Sequence, residues 1–96
     1  MDFEWDAEKD RSNRKRHGVS FDETAELFTS GGEYLEIYDA KHGDDEDRFI
    51  AIGPIQRGLV VIVYTERLEE TVRIISARWA TRSETGLFRR YLGVIE

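Results

Sequence analysis

Arginine is the residue type that gives this chain its main chemical resource. The segment from Thr65 to Arg82 carries Arg67, Arg73 and Arg78 among apolar strand-forming residues, whereas the whole chain holds only three lysines and no cysteine. A guanidinium group binds phosphate through two parallel hydrogen bonds and stays protonated at working pH. The segment therefore indicates RNA or another phosphorylated ligand.

The charge of the chain is unevenly distributed. The formal net charge is −6, and residues 1–48 carry 15 acidic and 7 basic side chains, whereas residues 49–96 carry 5 acidic and 7 basic ones. A protein that binds nucleic acid needs a basic patch more than a basic total. The second half of the chain offers such a patch, and an ordinary solvated surface is the alternative explanation.

RNA can be cleaved without a metal, because the 2′-hydroxyl of the substrate is itself the nucleophile. The protein then has to supply a base, an acid and cations aimed at the charge of the phosphorane. The residues that could do this are Arg16, His17, Arg48, Glu66, Arg67, Arg78 and Arg82. His17 is of the residue type that most often serves as general acid or base, although a place at the end of a helix would also explain it. Glu66 and Arg67 could equally be turn charges.

Other chemistries have less support in the sequence. The acidic run from His42 to Asp47 contains metal-ligand residue types but lacks the spacing of a metal site, so we expect a solvated loop, no metal and no cofactor. The serines lack the glycines of a nucleophile elbow, and no glycine-rich phosphate loop precedes a helix. Trp79 could stack on a base or fill the core.

The sequence predicts an α+β domain to position these residues. A helix over residues 6–16 ends at Gly18, and a second helix over residues 21–28 follows a capping box of Ser20 and Glu23. Short β-rich runs at 34–38, 48–53, 59–65 and 71–77 predict an antiparallel meander of about four strands. A capping box at Thr81 predicts a C-terminal helix over 81–91.

Strand alternation divides the residues of the last predicted strand between two faces. Arg73 is out of phase with Val72 and Ile74, whereas Ser76 and Arg78 share the phase of these two apolar residues. We therefore expect Arg73 to point away from the side that carries Ser76 and Arg78.

Length and composition set the outer limits. A chain of 96 residues with 40% hydrophobic content suits a single domain, 1–96. The longest apolar run, Leu59 to Tyr64, is too short to span a membrane, and the acidic N-terminus lacks the pattern of a signal peptide. With no cysteine for a disulfide, we expect a soluble cytoplasmic protein.

The order and spacing of motifs over residues 3–84 resemble those of the BrnT toxin family. The matching segments are Phe3-Glu4-Trp5-Asp6, Lys9, Asn13, His17-Gly18-Val19-Ser20-Phe21, Ala25, Phe28, Asp39, His42, Arg48, Thr65-Glu66-Arg67, Arg73-Ile74-Ile75-Ser76-Ala77-Arg78 and Ala80-Thr81. The resemblance implies a RelE-like fold and an RNA-cleaving toxin of a type II toxin–antitoxin system that halts translation. It also implies a cognate BrnA-like antitoxin, and operator DNA is then bound only through that antitoxin. The implied assembly is a homodimer or a heterotetramer.

Carried over to this chain, the resemblance implies an active face. Its catalytic residues are Arg16, His17, Arg48, Glu66, Arg67 and Arg78, and from their residue types and positions we expect Lys15, Trp79 and Arg82 to contact the RNA.

Two departures from the family pattern bear on this active face. Arg16 stands where the family more often has lysine, which keeps the charge but loses a possible general acid. The segment 85–88 also separates Glu84 from the basic pair Arg89-Arg90. These departures leave two alternatives to the enzyme. The chain could be a catalytically weak or inactive module that serves as antitoxin partner and operon co-repressor. It could also be a dimeric interaction domain without RNA contact.

Overall fold

The structure is a computed structural model that describes residues 1–40, 46–68 and 70–93. This part of the chain contains five strands and four helical segments. In chain order these are β1 (Asp2–Glu4), α1 (Ala7–His17), α2 (Phe21–Thr24), α3 (Glu26–Thr29), β2 (Leu35–Tyr38), β3 (Arg48–Ile55), β4 (Gly58–Arg67), β5 (Thr71–Trp79) and α4 (Arg82–Leu92). The strands form one sheet in the order β1-β5-β4-β3-β2. The predicted α+β class is confirmed.

The first strand corrects the predicted sheet. Strands β2 to β5 form the expected antiparallel meander, but β1 adds a fifth strand that pairs in parallel with β5, so that the sheet is mixed. Its register places Phe3 beside Val72 and Glu4 beside Arg73. Three residues are too few to show strand alternation in a sequence, and the pairing partner lies at the other end of the chain.

Helix α1 follows its capping signals. The Asp6 side chain accepts hydrogen bonds from the backbone N–H groups of Glu8 and Lys9, and Gly18 ends the helix in the left-handed conformation, with φ of 74°. Such a backbone angle favours glycine, which has no Cβ to clash. The predicted helix is confirmed.

The second predicted helix is wrong in its continuity. Residues 21–28 form two short segments, α2 and α3, that meet at Ala25. Ser20 caps α2 as predicted, because its hydroxyl accepts from the Glu23 N–H. At the other end of the chain, α4 begins with the predicted capping box, in which Thr81 and Glu84 bond each other's backbone N–H.

Strands β3 and β4 extend beyond the predicted runs 48–53 and 59–65, so the turn between them is shorter than the sequence predicts. Pro54 and Ile55 belong to β3, and only Gln56 and Arg57 connect it to β4. Pro54 is tolerated there because β2 pairs with β3 only as far as Ile52, so no neighbouring strand needs a backbone donor at this position.

A β-bulge in β5 corrects the predicted division of its side chains. The register pairs Val63 with Ser76 but Tyr64 with Ile74, so one extra residue of β5 lies between them. Beyond the extra residue the side chains change face. Arg73 and Arg78 therefore share one face of the sheet, contrary to the alternation that the sequence predicts.

Two apolar clusters cover the two faces of the sheet. The larger lies under α2 and α3, and its fully buried members include Phe21, Leu27, Ile62, Tyr64 and Ile74. The smaller lies under α4 and is built on Ile52, Val61 and Phe88. We call the second surface the α4 face. No helix in the described residues is long and apolar enough to cross a membrane.

Candidate active site

Arginines from three strands meet at one end of the α4 face. Arg48 and Arg73 both pair with Thr65 of β4, one from each side, and Arg67 lies two residues further along the same strand. Cross-strand partners and residues two apart point to the same face. We call Arg48, Arg67 and Arg73 the arginine row.

Two carboxylates lie among these arginines. Glu4 of β1 contacts Arg73 at 2.7 Å and Arg67 at 3.9 Å, both from its Oε2 atom. Glu46 lies 3.8 Å from Nε of Arg48 and 4.0 Å from Nη2 of Arg67. These ion pairs set three guanidinium groups against two carboxylates.

Thr65 fixes the segment that carries Glu46. Its side chain is buried between the arginines, and its hydroxyl donates a 2.6 Å hydrogen bond to the backbone carbonyl of Asp47. Beside it opens a cleft of about 540 Å³, whose charged lining is Glu4, Glu46, Asp47, Glu66 and Arg67. The cleft gives a ligand access to Arg67, and Arg48 and Arg73 lie next to it in the row.

Arg48 has an unused donor in this cluster. Its Nε atom is buried and has no hydrogen-bond partner among the described residues. The 3.8 Å to Glu46 is too long for a hydrogen bond. A buried guanidinium donor without an acceptor is uncommon.

Arg78 lies on the same face but outside the row. Its Nη1 and Nη2 atoms donate to the two carboxylate oxygens of Glu84 in α4, each at 2.7 Å. This contact lowers the pKa of Glu84 to about 2 and raises the pKa of Arg78. Arg78 pairs with Val61 and Arg73 with Thr65, so about 13 Å of strand separate the two arginines.

The end of α1 lies far from the arginine row. The backbone carbonyl of Gly18, next to His17, accepts from Nη2 of Arg57 at the start of β4. Arg67 lies at the other end of that ten-residue strand, about 30 Å away. The structure therefore does not bring His17 to the cleft.

The other predicted contacts lie on separate surfaces. Arg16 faces a small groove beside β5, whereas Lys15 and Arg82 are exposed on α1 and at the start of α4. Trp79 packs against the larger core cluster, and the guanidinium carbon of Arg57 lies 5.2 Å from its ring centroid. Arg57 thus occupies one face of the ring that a base would stack on.

Four residues of the site were not among the predicted catalytic set: Glu4, Glu46, Thr65 and Arg73. Glu4 reaches the site only because β1 pairs with β5. Arg73 reaches it because the arginine row lies on the N-terminal side of the bulge in β5. The acidic run had been expected to be a solvated loop, and Glu46, at its described end, instead contacts two arginines. His42 and Asp44 lie outside the described residues. No group of three or more metal-ligand side chains occurs in the described part of the chain.

Comparison with known proteins defines the class. The fold is similar to the 1.1 Å crystal structure of the Brucella abortus ribonuclease toxin, BrnT, with a TM-score of 0.65 and 24% identity over 85% of this chain and 99% of that one. A family model described as "Ribonuclease toxin, BrnT, of type II toxin-antitoxin system" matches residues 5–84. The chain belongs to this BrnT family. No protein with curated annotation matches it significantly.

Proposed function

We propose that the chain is a metal-independent endoribonuclease toxin that cleaves RNA at the arginine row and so inhibits translation in the cytoplasm. The observation that carries the proposal is the convergence of Arg48, Arg67 and Arg73 on two carboxylates beside an open cleft. Membership in a family named for ribonuclease toxins supports the same reaction.

The reaction uses the 2′-hydroxyl of RNA as its nucleophile. The 2′-oxygen forms a bond to the adjacent phosphorus while its proton passes to a general base. The bond from phosphorus to the 5′-oxygen then breaks, and that oxygen takes up a proton from water. The products are a 2′,3′-cyclic phosphate and a 5′-hydroxyl end.

Glu46 is the general base in this proposal. Its carboxylate lies beside Arg48 and Arg67, so a phosphate held by these arginines brings its neighbouring 2′-hydroxyl within reach. Glu66, which the sequence predicts as a proton-transfer residue, lines the same cleft and is the alternative base. His17 has no part in this step because it belongs to the opposite end of the sheet.

The arginines stabilise the charge that develops on the phosphorane. Guanidinium groups suit this role because they bind two phosphate oxygens at once and stay charged. Arg73 holds Glu4 and adds positive charge behind Arg67.

Cleavage of labelled RNA in EDTA tests the proposal. We expect wild-type protein to cleave and to leave cyclic phosphate ends, and Arg48→Gln, Arg67→Gln and Glu46→Gln each to slow cleavage by about 10²–10³. The control is Arg11→Gln, which removes an exposed arginine of α1. Loss of cleavage in EDTA, or equal activity in all variants, would contradict the proposal.

An antitoxin partner follows from the type II family. We propose that this partner is a BrnA-like protein that neutralises the chain and supplies all contacts to operator DNA, in an assembly built on a homodimer or a heterotetramer. Co-purification of the two proteins, followed by operator binding with and without the antitoxin, tests this. Operator binding by the chain alone would count against it.

A second candidate function is a catalytically inactive antitoxin partner. It is favoured by the ion pairs within the arginine row, because each arginine already has a carboxylate within 4.0 Å. Expression of the chain alone in a bacterium separates the two candidates. Growth arrest that Glu46→Gln relieves supports the enzyme, whereas normal growth supports the inactive partner.

A further inference from the structure

Helix α1 turns a polar stripe toward the edge of β5. Lys9, Ser12, Asn13 and Arg16 lie three, four and seven positions apart and share one side of the helix. The stripe that a helix turns toward the rest of a protein is ordinarily apolar. Here only Asn13 is buried, and it contacts β5 through polar atoms.

Asn13 fixes the distance between α1 and β5. Its Nδ2 donates to the carbonyl of Val19 at 3.1 Å, and its Oδ1 accepts from the N–H of Ala77 at 3.2 Å. Because β1 pairs with β5 only up to Arg73, this edge of β5 faces α1 from there onward. The two elements hold a groove between them.

The groove has a positive and hydroxyl-rich lining. Its volume is about 160 Å³, and β5 contributes Ile75 and Ser76 at the bulge. Ser12 and Ser76 are exposed and offer hydroxyl groups from opposite walls. No carboxylate lines the groove in the described part of the chain.

The two cations of the groove are available for a ligand. Neither Lys9 nor Arg16 forms a side-chain hydrogen bond or an ion pair with any residue that the structure describes. Arg14 is by contrast paired with Asp10, one turn before it in the same helix, at 3.7 Å. Like charges near an empty groove repel each other unless an anion lies between them.

We propose that this groove binds a second backbone phosphate of the same RNA strand, away from the one that is cleaved. Lys9 and Arg16 would neutralise the phosphate, and the hydroxyls of Ser12 and Ser76 would donate to its oxygens. The inference rests on the proposed function and gives Arg16 a binding role outside the catalytic cluster. Ser76 lies three residues from Arg73, about 10 Å along β5, so one RNA strand can follow β5 from the groove to the arginine row.

Binding of RNA that cannot be cleaved tests the groove separately from catalysis. The probe is a fluorescent single-stranded RNA with a 2′-O-methyl group on every ribose, which removes the nucleophile. We expect Lys9→Gln/Arg16→Gln to raise the Kd by about tenfold or more, and to reduce the slope of log K against log salt by about 0.7 for each lost phosphate contact.

A matched control removes the same charge from the same helix. Arg11→Gln/Arg14→Gln lies outside the groove, and we expect it to leave both the Kd and the salt slope close to wild type. Ser76→Asp adds a carboxylate to the groove without touching α1, and we expect it to weaken binding as well. Thermal unfolding of each variant verifies that the fold is intact.

Three outcomes would overturn the inference. They are an unchanged Kd and salt slope in Lys9→Gln/Arg16→Gln, an equal loss in the control pair, or a groove that binds duplex DNA but not single-stranded RNA. Failure of the proposed function looks different. In that case wild-type protein leaves unmodified RNA intact, while the methylated RNA still binds through Lys9 and Arg16.

Discussion

Arg78 holds Glu84 through two parallel hydrogen bonds of 2.7 Å, and this pair joins β5 to the first turn of α4. The same carboxylate accepts from the backbone N–H of Thr81 at 2.9 Å and so completes the capping box of α4. One side chain therefore both starts the helix and attaches it to the sheet. Phe88 is the one α4 residue described as buried, so the attachment depends on few contacts.

Glu84→Gln should destabilise the protein at neutral pH. Arg78 and Glu84 are 40% and 25% exposed, so we expect a loss of only about 1 kcal/mol after allowance for solvent screening. For a domain of this size that lowers Tm by about 4–8 °C. Thermal unfolding followed by circular dichroism measures the difference, with Glu33→Gln, an exposed loop change, as control.

The effect of Glu84→Gln should depend on pH in a defined direction. Folding lowers the pKa of Glu84 to about 2, against about 4.3 for an unperturbed glutamate. Its contribution is therefore complete above about pH 5 and disappears as the pH falls toward 2. The Tm values of wild type and Glu84→Gln should converge over that range. A Tm difference that is constant down to pH 2 would contradict the ion pair as its source.

Arg67 and Arg78 should differ in what their loss affects. Arg67 is 51% exposed and its ion pairs are 3.9 and 4.0 Å long, so Arg67→Gln should change the free energy of unfolding by less than about 1 kcal/mol. If the proposed site is correct, it should slow RNA cleavage by about 10²–10³. Arg78→Gln should instead lower Tm. Urea unfolding and cleavage assays on both variants compare the two effects.

Replacement of glycine by alanine should change the stability in opposite directions at Gly53 and Gly86. A Cβ at Gly53 would lie 2.6 Å from Leu27 Cδ1 and 2.7 Å from Tyr34 Cβ, whereas at Gly86 the nearest atom, Arg90 Nη1, is 3.6 Å away. Gly53→Ala should therefore destabilise the protein by about 1–3 kcal/mol. Gly86→Ala, within α4, should stabilise it by up to about 1 kcal/mol. Urea unfolding measures the change in the free energy of unfolding for both variants. A change of the same sign in both would contradict the packing described for Gly53.

Asn13→Ala should cost more than an average surface change in α1. It leaves the carbonyl of Val19 and the N–H of Ala77 without the partners that Asn13 provides, which we expect to cost about 2 kcal/mol or more. Asn13→Asp keeps an acceptor for the N–H of Ala77, so we expect it to lower the free energy of unfolding by less. Arg11→Ala, exposed on the same helix, is the control, and chemical denaturation at neutral pH is the measurement.

Local signals in the sequence identified most of the elements. Side-chain caps at Ser20 and Thr81 and the glycine at Gly18 act within a few residues, so the starts and ends of helices could be predicted from short segments. The apolar runs of β3, β4 and β5 were equally recognisable. The break between α2 and α3 at Ala25 was not, because no glycine or proline marks it.

The site was harder to predict because it depends on register. The extra residue in β5 has no glycine or other marker, yet it moves Arg78 to the face of Arg73. Glu4 joins the row only through a three-residue parallel strand. The sequence predicts Arg48 and Arg67 as residues of the active face, and the structure places them in one row, but their partners are set by contacts distant in sequence.

The parallel pairing of β1 with β5 has a consequence for folding. Glu4 and its partner Arg73 lie 69 positions apart in the chain. Contacts of such high sequence separation form slowly, because a long loop must first be ordered. A chain in which β1 has not yet docked therefore holds Arg73 without the carboxylate of Glu4, and the contacts of the arginine row are complete only once this loop has closed.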